Sequence, residues 1–241
     1  MVVTKIYNEP PVCKKEILRY AGCKDMNKEF MPLTREIKSV DSLLDECLKE
    51  VLPKLSYKVC YMELPLVTED IDCDFGCMKL VSKDLVKNLR GCEKVILFAA
   101  TIGVEMDRLI TRYGHLSPAK AMMLQAIGAE RIESLCDVFC ECIQQELCEG
   151  KEGECVSLRP RFSPGYGDLP LEAQKEIFNV LNCSKNIGLS LNDSLLMSPT
   201  KSVTAFAGVV PEVSNHSSES EIKGKLHNCA ICNKTDCTYK I

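Results

Sequence analysis

The residues best suited to chemistry lie within one stretch, residues 159–170, which gathers Arg159 and Arg161, the prolines Pro160, Pro164 and Pro170, the glycines Gly165 and Gly167, and Tyr166. Proline fixes φ and biases the residue before it toward extended geometry, so the stretch predicts a stiff, non-helical track. Gly165 and Gly167 admit positive φ or leave room for a ligand against bare backbone. Such a track holds Arg161, Tyr166 and backbone N–H groups in fixed positions, which suits a small anionic or zwitterionic ligand. A plain connection between two elements has the same composition.

Two other groups of residues carry chemical potential. Glu133 sits in a row with Ala126, Ala129, Cys136 and Cys140, spaced by three or four, in which every other member is small. Small side chains let a segment or a ligand approach, and a carboxylate among them must find a partner or stay wet. The alternative is an edge residue that bridges to Arg131 or to solvent. Near the end of the chain, Cys229, Cys232 and Cys237 form a C-x2-C-x4-C array. Two thiolates at the first spacing chelate one metal, and zinc or an iron–sulfur cluster both fit, with a fourth ligand from elsewhere. A tail of free or redox-active thiols is the other reading.

The elements that position these residues follow from periodicity. A short helix is expected over 14–20. A longer one spans 39–55, with Val40, Leu43, Leu44, Cys47, Leu48, Val51 and Leu52 on one face and Pro53 at its end. Residues 57–67 read as a strand, followed by a turn through Glu69, Asp70 and Asp72, and residues 82–89 as a helix. The apolar run 95–100, ending in Thr101 and Gly103, reads as a buried strand entering a tight turn, and a helix follows over 104–113. Gly114 and Pro118 close that helix and open the longest one, 118–148, whose core stripe is Leu124, Gly128, Ile132, Leu135, Phe139 and Cys142. Asp168 is the expected N-cap of a helix over 169–182. Two strands follow, 187–191 and 202–209, and then a run of polar residues.

Composition narrows the classes of function. A formal net charge of -4, a pI near 5.6 and no basic block leave no electrostatic footprint for nucleic acid. The longest apolar run is too short to span a bilayer and residues 1–18 contain no apolar signal region, so a soluble, cytoplasmic protein is expected. In that context the 16 cysteines are expected to be reduced and packed mostly as small apolar groups.

Arg161-Phe162-Ser163-Pro164-Gly165-Tyr166 resembles the Arg-x-x-Pro-Gly-Tyr pattern of the activation domain of cobalamin-dependent methionine synthase. Ile187-Gly188-Leu189-Ser190-Leu191-Asn192-Asp193-Ser194 and Met197-Ser198-Pro199-Thr200-Lys201-Ser202-Val203 follow at similar spacing, resembling two further segments of that family. Three matches in register are more specific than any one, and the resemblance covers about residues 94–209. The expected fold is α+β. It is a single domain over residues 1–210, with a twisted, mainly antiparallel sheet flanked by helices, followed by a polar linker, 211–228, and a Cys-rich tail, 229–241.

The resemblance implies an S-adenosylmethionine site in which Arg161 contacts the ligand's carboxylate and Glu133 its polar end. Ser163, Gly165 and Tyr166 would line the site, the Tyr166 ring facing the sulfonium. It also implies a free-standing reactivation protein for a cobalamin held by a partner, methionine synthase or another corrinoid protein. A flavodoxin- or ferredoxin-like donor would supply the electron and no side chain here would act as a nucleophile. Two departures stand out. The family's acidic contact near the start of the domain has no assignable counterpart among Asp41, Asp45 and Asp70, and its late tyrosine is absent, since Val210-Pro211-Glu212 runs into the linker. A metal-binding or electron-transfer accessory built on the tail, and a docking module for a corrinoid protein that binds no such ligand, are the alternatives.

Overall fold

A computed structural model of the chain describes residues 1–23, 40–149 and 155–211. The tail cysteines Cys229, Cys232 and Cys237, and the linker from residue 212 onward, lie outside the described residues.

The apolar run of residues 95–100 explains the architecture. Strand β6, Lys94–Thr101, has Ile96, Phe98 and Ala100 facing one core and Val95, Leu97 and Ala99 facing another. A strand covered on both faces has no solvent side, which is why its sequence shows no alternation. It is the middle strand of an antiparallel five-stranded sheet in the order β1-β2-β6-β10-β7. The others are β1, Val3–Tyr7; β2, Tyr57–Pro65; β10, Ser202–Pro211; and β7, Val156–Leu158. One face is covered by α1, Lys14–Tyr20, α2, Val40–Val51, α4, Glu105–Leu116, and the 32-residue α5, Pro118–Glu149. The other face is covered by α3, Lys83–Asn88, α6, Ala173–Leu181, α7, Cys183–Ile187, and the small sheet of β3, Val67–Glu69, β4, Asp72–Asp74, and β5, Lys79–Val81. A two-stranded ribbon, β8, Ser190–Leu191, and β9, Met197–Ser198, precedes β10.

The sheet, the flanking helices and the tight turn after β6 agree with expectation, and several details do not. β1 was missed, because five residues with two polar positions carry little signal. Gly114 lies inside α4, whose ladder continues to the bond from Ser117 N–H to the Tyr113 carbonyl. The core stripe of α5 turns inward at Ile143, while Cys142 is only half-buried. Residues 187–191 form little strand, since Ile187 ends α7 and only Ser190 and Leu191 pair.

The largest correction concerns Asp168. The helix after it begins only at Ala173, and Asp168 caps a different helix, α3. Its carboxylate accepts from the N–H groups of Lys83 (2.8 Å) and Asp84 (3.2 Å) and from the Ser82 hydroxyl, while Ser82 Oγ accepts from Leu85 N–H at 3.0 Å. Two side chains thus satisfy the donors that the start of α3 cannot satisfy internally. Gly167 makes the approach feasible: its φ is +55°, and a Cβ there would lie 2.3 Å from Asp84 Oδ2.

These donors hold the Asp168 carboxyl below its ordinary pKa, the Ser82 hydroxyl foremost. A lowered folded-state pKa contributes stability that is complete above the unfolded value of about 3.9 and is lost as pH falls through the folded one. Asp168→Ala should therefore cost about 0.5–2 kcal/mol in urea denaturation at neutral pH. The gap from wild type should shrink below about pH 4. A gap unchanged along the whole acid limb would remove the capping role.

Candidate functional site

Pro160 and Arg161 lie in an interruption of the sheet edge. Leu158 stands opposite Val209 and Phe162 opposite Phe206, so four steps on the edge strand run against three on β10. The extra residue is a β-bulge. Strict alternation would put Leu158 and Phe162 on the same face, yet Leu158 packs on the α5 side and Phe162 on the opposite side. The bulge exchanges the faces, and Arg161 consequently points toward α5.

The bulge is pinned from both directions. Phe162 and Phe206 exchange both backbone bonds, at 2.9 and 2.8 Å, Arg159 N–H donates to the Gly208 carbonyl at 2.8 Å, and Asn88 Nδ2 donates to the Pro160 carbonyl at 3.2 Å. Arg159 lies across Gly208, where a Cβ would come within 2.5 Å of Cys92 Sγ and 3.3 Å of the arginine's Cγ, and it donates to the Arg90 carbonyl. Arg159 therefore has a structural role that the sequence did not disclose.

Opposite the bulge, α5 presents Glu133 and Asp137. Arg161 Nη2 donates to Glu133 Oε2 at 2.8 Å and Nη1 to Asp137 Oδ1 at 2.6 Å. Asp137 was missed at the level of sequence, although it lies four residues beyond Glu133 and so on the same face of one helix. Glu133 does not bridge to Arg131, because Arg131 is taken: its guanidinium is fully buried and clasps Glu130 with two contacts of 2.6 Å. Arg131 also donates to the carbonyls of Pro10 (2.7 Å) and Pro11 (2.5 Å), and Glu130 accepts from Cys13 N–H at 2.8 Å. This buried pair seats the start of α1 against α5.

Between α1, α5 and the bulge lies a cleft of about 380 Å³, lined by Glu16, Tyr20, Glu133, Asp137, Cys140, Leu158, Pro160 and Arg161 among others. Its size is at the lower end for a small-molecule site. Ser163, Gly165 and Tyr166 do not line it. They form the turn that follows, in which Tyr166 N–H donates to the Ser163 carbonyl at 3.1 Å and Gly165 N–H to the Leu169 carbonyl at 2.9 Å. Tyr166 is 54 % exposed, its ring edge-on to Phe162 at 6.4 Å.

The electrostatics of the cleft are unbalanced. Glu133 and Asp137 both lean on the one guanidinium, which leaves the trio with one net negative charge. Burial works against the charge on Arg161, while the Glu133 and Asp137 carboxylates favour it, and its pKa lies above the ordinary arginine value. Burial pushes the Cys136 and Cys140 thiols up, so both are neutral at neutral pH. Tyr20 is also raised, by burial and by Glu133. A wall of two carboxylates and one guanidinium suits a ligand that bears a carboxylate and more than one positive charge.

Arg161 is 19 % exposed at the side chain, Glu133 43 % and Asp137 61 %, so water screens the carboxylate ends. A double-mutant cycle of Arg161→Ala with Asp137→Ala, read by urea denaturation, should give a coupling below about 1 kcal/mol. A coupling of several kcal/mol would make the pair a structural bridge.

Against known proteins, residues 74–223 match the family described as vitamin B12 dependent methionine synthase, activation domain. The match begins earlier and ends later than residues 94–209. A crystal structure of the MetH reactivation domain bound to AdoHcy superposes with a TM-score of 0.60 at 16 % identity, covering 90 % of this chain and 81 % of that one. At that identity the likeness speaks for the fold. A search among curated proteins gives no match. The family match spans more than half of the chain, including α5, the bulged edge strand and the Pro-Gly-Tyr turn, and the chain belongs to the activation-domain family of vitamin B12-dependent methionine synthase.

Proposed function

We propose that the chain binds S-adenosylmethionine at the cleft between α5 and the bulged edge strand. There it would hold the methyl group for transfer to a cobalamin carried by a partner corrinoid protein, with methionine synthase as the partner the family implies. The observation that carries this reading is the convergence of Arg161, Glu133 and Asp137 on one cleft. S-adenosylmethionine has one carboxylate, an ammonium and a sulfonium, so its net charge is opposite to that of the trio. The ligand of the structural neighbour, AdoHcy, is the product left when this compound gives up its methyl group.

In this reading Arg161 rotates part of its fork from Asp137 to the ligand carboxylate, and the carboxylates of Glu133 and Asp137 take the ammonium. Ser163, Gly165 and Tyr166 would continue the wall beyond the cleft, with the exposed Tyr166 ring toward the cationic sulfonium. The chemistry itself is supplied by the corrinoid, a substrate here: a one-electron donor brings inactive cob(II)alamin to cob(I)alamin, which takes the methyl group and releases S-adenosylhomocysteine. The side chains contribute orientation, and no nucleophile or proton relay is required of them.

Titration calorimetry tests the reading. S-adenosylmethionine should bind wild type, and Arg161→Ala should weaken binding by about one to two orders of magnitude, the loss of a charge-assisted bond worth about 1.5–3 kcal/mol. Glu133→Gln should also weaken it, with little change in urea midpoint. Wild-type protein that takes up no S-adenosylmethionine would exclude the proposal.

A further inference from the structure

Outside the cleft's lining, the end of α5 meets the start of the edge strand through a pair of facing thiols. Cys148 lies in the last turn of α5 and Cys155 immediately precedes β7, and their sulfurs are 2.9 Å apart. A disulfide joins its sulfurs at about 2.05 Å, so closure requires only about 0.9 Å of further approach. Val156 N–H donates to Cys148 Sγ at 3.2 Å, which holds that sulfur against the start of the edge strand.

Accessibility separates this pair from the buried cysteines. Cys155 is exposed and Cys148 half-buried, whereas Cys47, Cys60, Cys73, Cys136 and Cys183 are buried. Cys60 and Cys183 also interact with each other through their side chains, but both are wholly out of contact with solvent. A dissolved oxidant therefore reaches the first pair and misses the second.

We propose that Cys148 and Cys155 form a reversible dithiol–disulfide site, oxidised by a low-molecular-weight disulfide such as glutathione disulfide, that staples the end of α5 to the edge strand. The exposed Cys155 thiolate attacks one sulfur of glutathione disulfide, releasing one glutathione and leaving a mixed disulfide. Cys148 then attacks the Cys155 sulfur and expels the second glutathione. The two cysteines lose two electrons and two protons, and one glutathione disulfide becomes two glutathiones. Because α5 carries Glu133 and Asp137 and the edge strand carries Arg161, the staple joins the two walls whose spacing sets the cleft. Cys148 follows Asp137 by about three helical turns. The site stands independently of the identity of the cleft's ligand.

The test is peptide mapping of the full chain, folded, after equilibration in glutathione buffers of increasing oxidation. A peptide linked through Cys148 and Cys155 should appear, while Cys60 and Cys183 stay reduced. In Cys148→Ser one glutathione should remain trapped on Cys155, and in Cys155→Ser the link should vanish without a glutathione replacing it on Cys148. Amide hydrogen exchange of residues 156–158 should slow in the oxidised wild type, a readout that needs no ligand. The proposal is overturned if buffers that glutathionylate the exposed Cys77 give no Cys148–Cys155 link. A link from Cys155 to one of the tail cysteines, or unchanged exchange at 156–158 on oxidation, would overturn it equally.

Discussion

One extra residue between Leu158 and Phe162 decides which side of the sheet Arg161 serves. Without it Arg161 would face α3 and α6, and Phe162 would intrude on α5. With it, Phe162 fills the core beside Phe206 while Arg161 reaches Glu133 and Asp137. The bulge holds because the chain is fastened on both sides: by the Phe162–Phe206 exchange, by Asn88 on the Pro160 carbonyl, and by Asp168 on the start of α3. Pro160, which has no N–H to give the ladder, is suited to the place where pairing lapses.

The molecule places its charges in two different ways on the same helix. Glu130 and Arg131 are buried together and saturated with backbone partners, so their pairing is fixed and the start of α1 is fixed with it. Removing either partner from such a pair would strand a charge in a place water does not reach. Glu133 and Asp137 stand two turns or less away on that helix, their partly wetted carboxylates sharing Arg161 of the edge strand, so these contacts are exchangeable at modest cost. The helix thus carries one buried, saturated charge pair and, beside it, one whose partners can exchange.

Much of this was legible in the sequence where local chemistry decides the outcome. The doubly buried β6 showed as an unbroken apolar run, α5 as a long row of residues spaced by three or four, and residues 159–170 as a non-helical track, whose second part folds into a turn. The resemblance assigns Arg161 and Glu133 to one ligand site, and in the fold their side chains meet. What was hidden depends on register and on distant partners. Nothing near Asp168 shows that its carboxylate serves α3 across the fold instead of the helix after it. No local signal separates Glu130 from Glu133, since which of them meets Arg131 is set by where Pro10 and Pro11 pack. The bulge is a count of residues between two pairings, and pairings are not visible along a single strand.

The most direct test of the account is a crystal structure of the chain with S-adenosylmethionine or S-adenosylhomocysteine bound. The account predicts the ligand carboxylate on Arg161, its ammonium between Glu133 and Asp137, and the bulge at Pro160 and Arg161 unchanged. A ligand seated elsewhere, with Arg161 still closed on both carboxylates, would contradict it.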